Sequence, residues 1–124
     1  MAEHKFTRLT ETINISEDWA ELANSDPLAA VVYMMTWTKC WPWAVLPGKP
    51  LEFKALVCPG LDITLQRLSE VLALLHDRGM VVSYEAPDGA PLRFVTKWHR
   101  HNPVAWHMVA LPAYDPPSDW EPPQ

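Results

Sequence analysis

Along the 124-residue chain, apolar positions fall into blocks whose spacing changes from helical to strand-like. Residues 1–15 alternate weakly through Phe6, Leu9, Ile13 and Ile15, as a strand or an ordered arm would. Ser16 then precedes Glu17 and Asp18, so a side-chain cap and two carboxylates open a short helix, EDWAELA. In NSDPLAAVVYMMTWTKC, Ser25 or Asp26 can cap. Pro27 stands at the first helical position, where it loses no hydrogen bond. The next dozen residues are almost all apolar, which predicts the most buried helix of the domain. Three prolines and a glycine break WPWAVLPGKP, leaving room only for a short strand around Ala44 to Leu46. Pro50 opens a further short helix, LEFKALV, which CPG stops.

The clearest element is DITLQRLSEVLALLHDRG. Thr64 is its expected cap and Gly79 its terminator. Leu65, Leu68, Leu72 and Leu75 recur at steps of three and four, so they share one face, which Val71 and Leu74 widen. Gln66, Arg67, Glu70 and Asp77 fall on the opposite side. Beyond Gly79 the period becomes that of strands. MVVSYEA and PLRFVTKW flank a turn at PDGA, with Asp88-Gly89 supplying the positive backbone angles of a tight hairpin. Phe94 and Trp98 are expected to point inward. DPPSDWEPPQ, with four prolines in ten residues and a charge of −3, is expected to be extended or disordered. The chain thus divides into an arm with a short helix (1–25), a domain (26–106) and a proline-rich acidic tail (107–124).

The element order is helix, short strand, short helix, longer capped helix, hairpin. It predicts an α+β, mainly helical domain: a winged helix-turn-helix with a C-terminal β-hairpin wing. Leu51–Val57 and Leu65–Arg78 form the helix pair. In that arrangement the N-terminal residues of the second helix can enter a major groove. Here they are Thr64, Gln66 and Arg67.

Composition narrows the function without fixing it. Ten Lys and Arg stand against fifteen Asp and Glu, so bulk electrostatic coating of nucleic acid is not expected. One basic island interrupts the acidity, RFVTKWHRHNPVAW. Arg93 and Lys97 lie four apart and would share a strand face opposite Phe94, so with Arg100 they can hold phosphates. The same cations on an exposed edge strand would also guard it against pairing. His99 and His101 form an H-x-H pair, with His107 nearby, and such a pair on a strand points to one side. No cysteine or carboxylate cluster completes that set and Asn102-Pro103 breaks the strand, so neither a metal nor a cofactor is expected. Cys40 and Cys58 lack metal-ligand spacing and read as buried thiols. No G-x-S-x-G, phosphate-cradling glycine loop or H-E-x-x-H is present, so an enzyme is not expected. No apolar run is long enough to span a membrane and no signal-peptide stretch opens the chain, so a cytoplasmic location is the expectation. Trp37, Trp41 and Trp43 read as core or interface residues and Trp98 as a core anchor. Trp120, alone among prolines and acids, either docks in a partner's groove or covers a patch of its own domain.

Four segments in order also resemble a known family, the N-terminal winged-helix domain of phage and prophage replication-initiation proteins (replisome organisers). DPLAAVVYMMTWTKC is similar to its apolar first helix, and DITLQRLSEVLALLHDRGMVVSYE to its capped helix and following strand. DGAPLRFVTKWHRHN is similar to its wing with a basic-His-Asn close, and ALPAYDPPS to its proline-rich exit. The resemblance spans roughly residues 26–118 and implies binding of double-stranded DNA in replication initiation or transcriptional control. Thr64, Gln66 and Arg67 would be in the groove, with Arg93, Lys97 and Arg100 on phosphates. The competing expectation is a winged helix that binds a protein, or a second copy of itself, without DNA. The net charge, the acids Glu85 and Asp88 near the hairpin tip, and the many tryptophans favour it.

Overall fold

The computed structural model describes residues 17–40, 42–102, 104–106, 109, 112 and 114–120. The weak alternation of 1–15, the Ser16 cap and Trp41 lie outside them. Five helices and three strands are present among the described residues: α1 (Glu17–Ser25), α2 (Pro27–Trp37), β1 (Val45–Pro47), α3 (Pro50–Val57), α4 (Leu65–Asp77), β2 (Val81–Glu85), β3 (Pro91–Val95) and α5 (Trp98–His101). The fold is α+β, about half helical, with one antiparallel sheet in the order β1-β3-β2.

Helix starts follow the side-chain chemistry. Of the two candidate caps for α2, Asp26 is the one used: its carboxylate accepts from the Ala29 amide at 3.2 Å. Thr64 caps α4 by accepting from the Arg67 amide at 3.1 Å. α2 buries Ala29, Ala30, Val32, Tyr33, Thr36 and Trp37, which accounts for its nearly uniform apolarity. α4 buries Leu68, Val71, Leu72 and Leu75. Leu65 departs from the expected stripe and is 42% exposed, because the first turn of α4 projects past the core. α1 is more than an arm, since Leu22 is fully buried in the main hydrophobic cluster.

The hairpin differs from a two-residue turn. Ala86 and Ala90 close a three-residue loop (Ala86 N–H to Ala90 O, 2.9 Å), and Gly89 alone takes positive φ, at 87°. Asp88 contributes its side chain, accepting from the Ala90 amide at 2.9 Å. This is the loop in which one glycine in the left-handed region follows a regular turn. β3 also ends earlier than expected, at Val95. The Thr96 hydroxyl donates to Gly79 O at 2.7 Å, a turn follows, and Trp98 begins α5.

Register decides which side chains share a sheet face. Leu46, Arg93 and Ser83 are aligned, as are Val81 and Val95. With Leu46, Val81 and Val95 fully buried, these residues look toward the helices. Val45, Phe94 and Val82 align on the opposite face, with Pro47, Leu92 and Tyr84. Phe94, buried and on the face opposite Arg93 as expected, therefore points away from α3 and α4, toward α5 and the tail, and Arg93 points toward α3 and α4. Phe94 is nonetheless only 5% exposed, and Leu92 3%. The tail supplies the cover: Trp120 packs at a tilt against Phe94, centroids 5.3 Å apart, and the Tyr84 hydroxyl donates to Asp115 O at 2.6 Å. The acidic tail, expected to be extended or disordered, is packed on the sheet through residues 114–120.

Candidate functional site

The six residues expected to meet DNA stand at the start of α4, in β3, in the turn after it and in α5. Thr64, Gln66 and Arg67 stand together in the first turn of α4. The Thr64 hydroxyl serves the helix, whereas Gln66 is exposed. The Arg67 guanidinium holds both carboxylate oxygens of Asp26, at 2.7 and 2.8 Å, and reaches Glu70 at 3.5 Å. Both contacts come from one nitrogen, Nη2, so the pair is a charge-assisted hydrogen bond shared between the two oxygens. It ties the start of α4 to the cap of α2, and the Arg67 hydrogen bond holds the Asp26 carboxyl below its ordinary value against the opposing effect of burial.

Arg93 and Lys97 diverge because β3 ends between them. On the helix side of the sheet, Arg93 is half-buried and donates from Nε to Gly48 O at 3.0 Å. Burial lowers its basicity, but a guanidinium stays protonated. Lys97 lies in the turn after β3 and pairs with Asp18 of α1 at 2.6 Å. A second ion pair, Arg78–Glu21 at 3.3 Å, fastens the same helix. Arg100 is exposed on α5. A four-residue spacing brings two side chains to one face only in a continuous strand, and the turn at Thr96 removes that condition.

The open side of α4 carries a different chemistry. Leu65, Gln66, Ser69, Glu70, Ala73, His76 and Asp77 are exposed along it. Between α4, the start of α3 and the sheet lies a groove of about 270 Å³. Its walls are Pro50, Ser69, Ala73, His76, Asp77, Ser83 and Arg93. Leu51 beside it is 66% exposed and Leu56 on the same helix 41%. The groove walls set apolar atoms beside the Asp77 carboxylate, with Arg93 at the edge.

On the histidines, the strand alternation expected of the H-x-H pair does not apply, because Trp98–His101 form the short helix α5. His99 Nε2 lies 2.9 Å from Pro42 O, and its ring is set among aromatic rings rather than ligands. His107 lies outside the described residues. Among those residues no group of three or more His, Cys, Asp or Glu could hold a metal ion. Cys40 and Cys58 are both buried and unbridged. No helix among the described residues is long and apolar enough to cross a membrane.

What sequence reasoning missed is the aromatic cluster of Trp43, Phe94, His99, Trp106 and Trp120. Only the isolation of Trp120 among prolines signalled it. No protein-family model, curated protein or solved structure matches the chain.

Proposed function

We propose that the chain is a winged helix-turn-helix module that acts by binding a protein partner through the open face of α3 and α4. The order of elements and the β1-β3-β2 register support the winged-helix reading. α3 and α4 are then the helix pair and the β2–β3 hairpin the wing. The observation that carries the partner class is the commitment of the cations. Arg67, Arg93 and Lys97 each hold an acceptor within the chain. Exposed ion pairs are individually weak and can be exchanged for phosphate. Exchange would, however, leave the Asp26 and Asp18 carboxylates facing the backbone of the duplex. Glu70 and Asp77 on α4, with Glu85 and Asp88 at the hairpin, add further repulsion. Leu51 and Leu65 are exposed apolar side chains of the kind a protein interface uses. Under the resemblance to phage replication-initiation domains, the partner is a component of a phage or host assembly.

Duplex DNA is the second reading, and one observation favours it. Gln66 stands exposed in the first turn of α4, where a recognition helix carries its base-reading side chains, and Arg100 is exposed for a phosphate.

A photoreactive residue at Ser69, introduced in cells of the source organism, separates the two. The protein reading predicts an adduct of discrete mass that resists nuclease and disappears with Leu51→Asp. A nuclease-sensitive adduct, or a protein adduct indifferent to Leu51→Asp, contradicts it.

A further inference from the structure

The side of the sheet away from the helices ends in five rings from five places in the chain. Trp43 precedes β1, Phe94 lies in β3, His99 in α5, Trp106 beyond it and Trp120 in the tail. Trp120 stands against all the others. Its centroid lies 4.7 Å from His99, 5.3 Å from Phe94, 5.9 Å from Trp106 and 6.1 Å from Trp43. Those four are also joined without it: Trp43 to Trp106 at 4.8 Å, Trp106 to His99 at 5.5 Å and His99 to Phe94 at 6.1 Å. The cleft is therefore assembled by the domain, and the tail fills it.

The tail is lightly fastened. Tyr84 donates to Asp115 O at 2.6 Å, whereas the Trp120 amide turns back onto Pro117 O at 3.0 Å. Pro116 and Pro117 have no amide hydrogen to give. Among the described residues no salt bridge joins Asp115 or Asp119 to the domain. Among the described residues, one indole and one carbonyl hydrogen bond hold a proline-stiffened segment on an aromatic platform, a mode of recognition that needs little ordering of the ligand.

We propose that the cleft between Trp43, Phe94, His99 and Trp106 is a peptide-binding site for a proline-rich segment bearing a single tryptophan. Residues 114–120 fill it in cis, and such a segment of a partner protein fills it in exchange. Recognition has two points: the indole enters the ring cleft, and a backbone carbonyl five residues before it takes the Tyr84 hydroxyl. The site lies on the opposite side of the sheet from α3 and α4, so it does not depend on the function proposed for that face.

The test is fluorescence anisotropy with a labelled peptide YDPPSDW and the full-length chain, as wild type and as Trp120→Ala. A tethered segment competes at an effective concentration on the order of millimolar, so removing its tryptophan should tighten peptide binding by about tenfold or more. The same peptide with alanine in place of tryptophan should not bind. Trp120→Leu, which keeps an apolar side chain at the position, provides the comparison should Trp120→Ala lose its cooperative thermal transition. Equal affinity for wild type and variant, no binding to the variant, or undiminished binding of the tryptophan-free peptide overturns the proposal.

Discussion

Gly48→Ala should be costly for a reason readable in the sheet. A Cβ at residue 48 would stand 2.5 Å from the Pro91 carbonyl carbon, 2.6 Å from its oxygen and 2.8 Å from the Leu92 nitrogen, where ordinary contact is 3.4–4 Å. All three atoms are backbone, so no side chain can swing aside. β1 must withdraw from β3 by roughly 1 Å, the shortfall from ordinary contact. The Gly48 N–H to Pro91 O bond, 3.1 Å, is then lost, and the Arg93 Nε to Gly48 O bond is disturbed. Each hydrogen bond contributes about 1 kcal/mol, and crowding strain adds about 1–3 kcal/mol. Alanine's stiffer unfolded chain returns about 0.4–1 kcal/mol, for a net loss of about 2–3 kcal/mol. At roughly 4 °C per kcal/mol for a domain of this size, the melting temperature should fall by about 10 °C. Urea unfolding followed by circular dichroism measures the free-energy loss, and a thermal scan the fall in melting temperature. Gly79→Ala is the contrast: φ is +70° but nothing stands within 4 Å, so the cost is the conformational about 1–2 kcal/mol alone. A Gly48→Ala protein within about 0.5 kcal/mol of wild type, the range of an ordinary surface change, refutes the close-approach argument.

Three further outcomes follow from the packing and the charges. Trp98 is fully buried and its indole N–H donates to Trp37 O at 3.3 Å, so Trp98→Ala should cost about 3–5 kcal/mol and lose near-UV circular dichroism at 37 °C. Asp26→Ala removes both the α2 cap and the Arg67 partner, and loss of the cap alone costs about 1 kcal/mol. Because Asp26 titrates below its ordinary 3.8 when folded, it stabilises above that value and stops doing so as pH falls through the folded value. Wild type should therefore lose more stability than Asp26→Ala between pH 5 and about 2. His99 is held below its ordinary 6.5 mainly by burial, opposed by its bond to Pro42 O. The folded state then binds fewer protons than the unfolded one. The stability from this group is complete above about 6.5 and declines as pH drops below it. Melting temperatures at pH 7.5 and 5.5 should differ by less in His99→Gln than in wild type.

Local order was legible wherever one residue or one period determines it. Thr64, the leucine spacing of α4 and the Pro27 and Pro50 starts all announced elements that the structure contains. The opposition of Arg93 and Phe94 in β3 was legible, but not which face meets α3 and α4, because alternation distinguishes faces only when one side of a sheet meets water. Here Val95 is buried on one side and Trp120 of the tail packs on Phe94 on the other, so both sides are apolar. Nor could sequence reveal that the basic residues were engaged. Arg67 finds its partner 41 residues away and Lys97 finds its own at 79, and nothing local marks such pairs. The tail's packing was half visible, since a tryptophan set among prolines suggested docking without naming the surface.

The central claim, a helix-turn-helix face made for protein rather than DNA, is tested most directly by duplex-DNA binding titrated across salt. With the cations of Arg67, Arg93 and Lys97 committed within the chain, wild type should show no salt-dependent binding. A log–log slope of about −3, as three phosphate contacts would give, reduced by Arg93→Ala or Arg100→Ala, would contradict it.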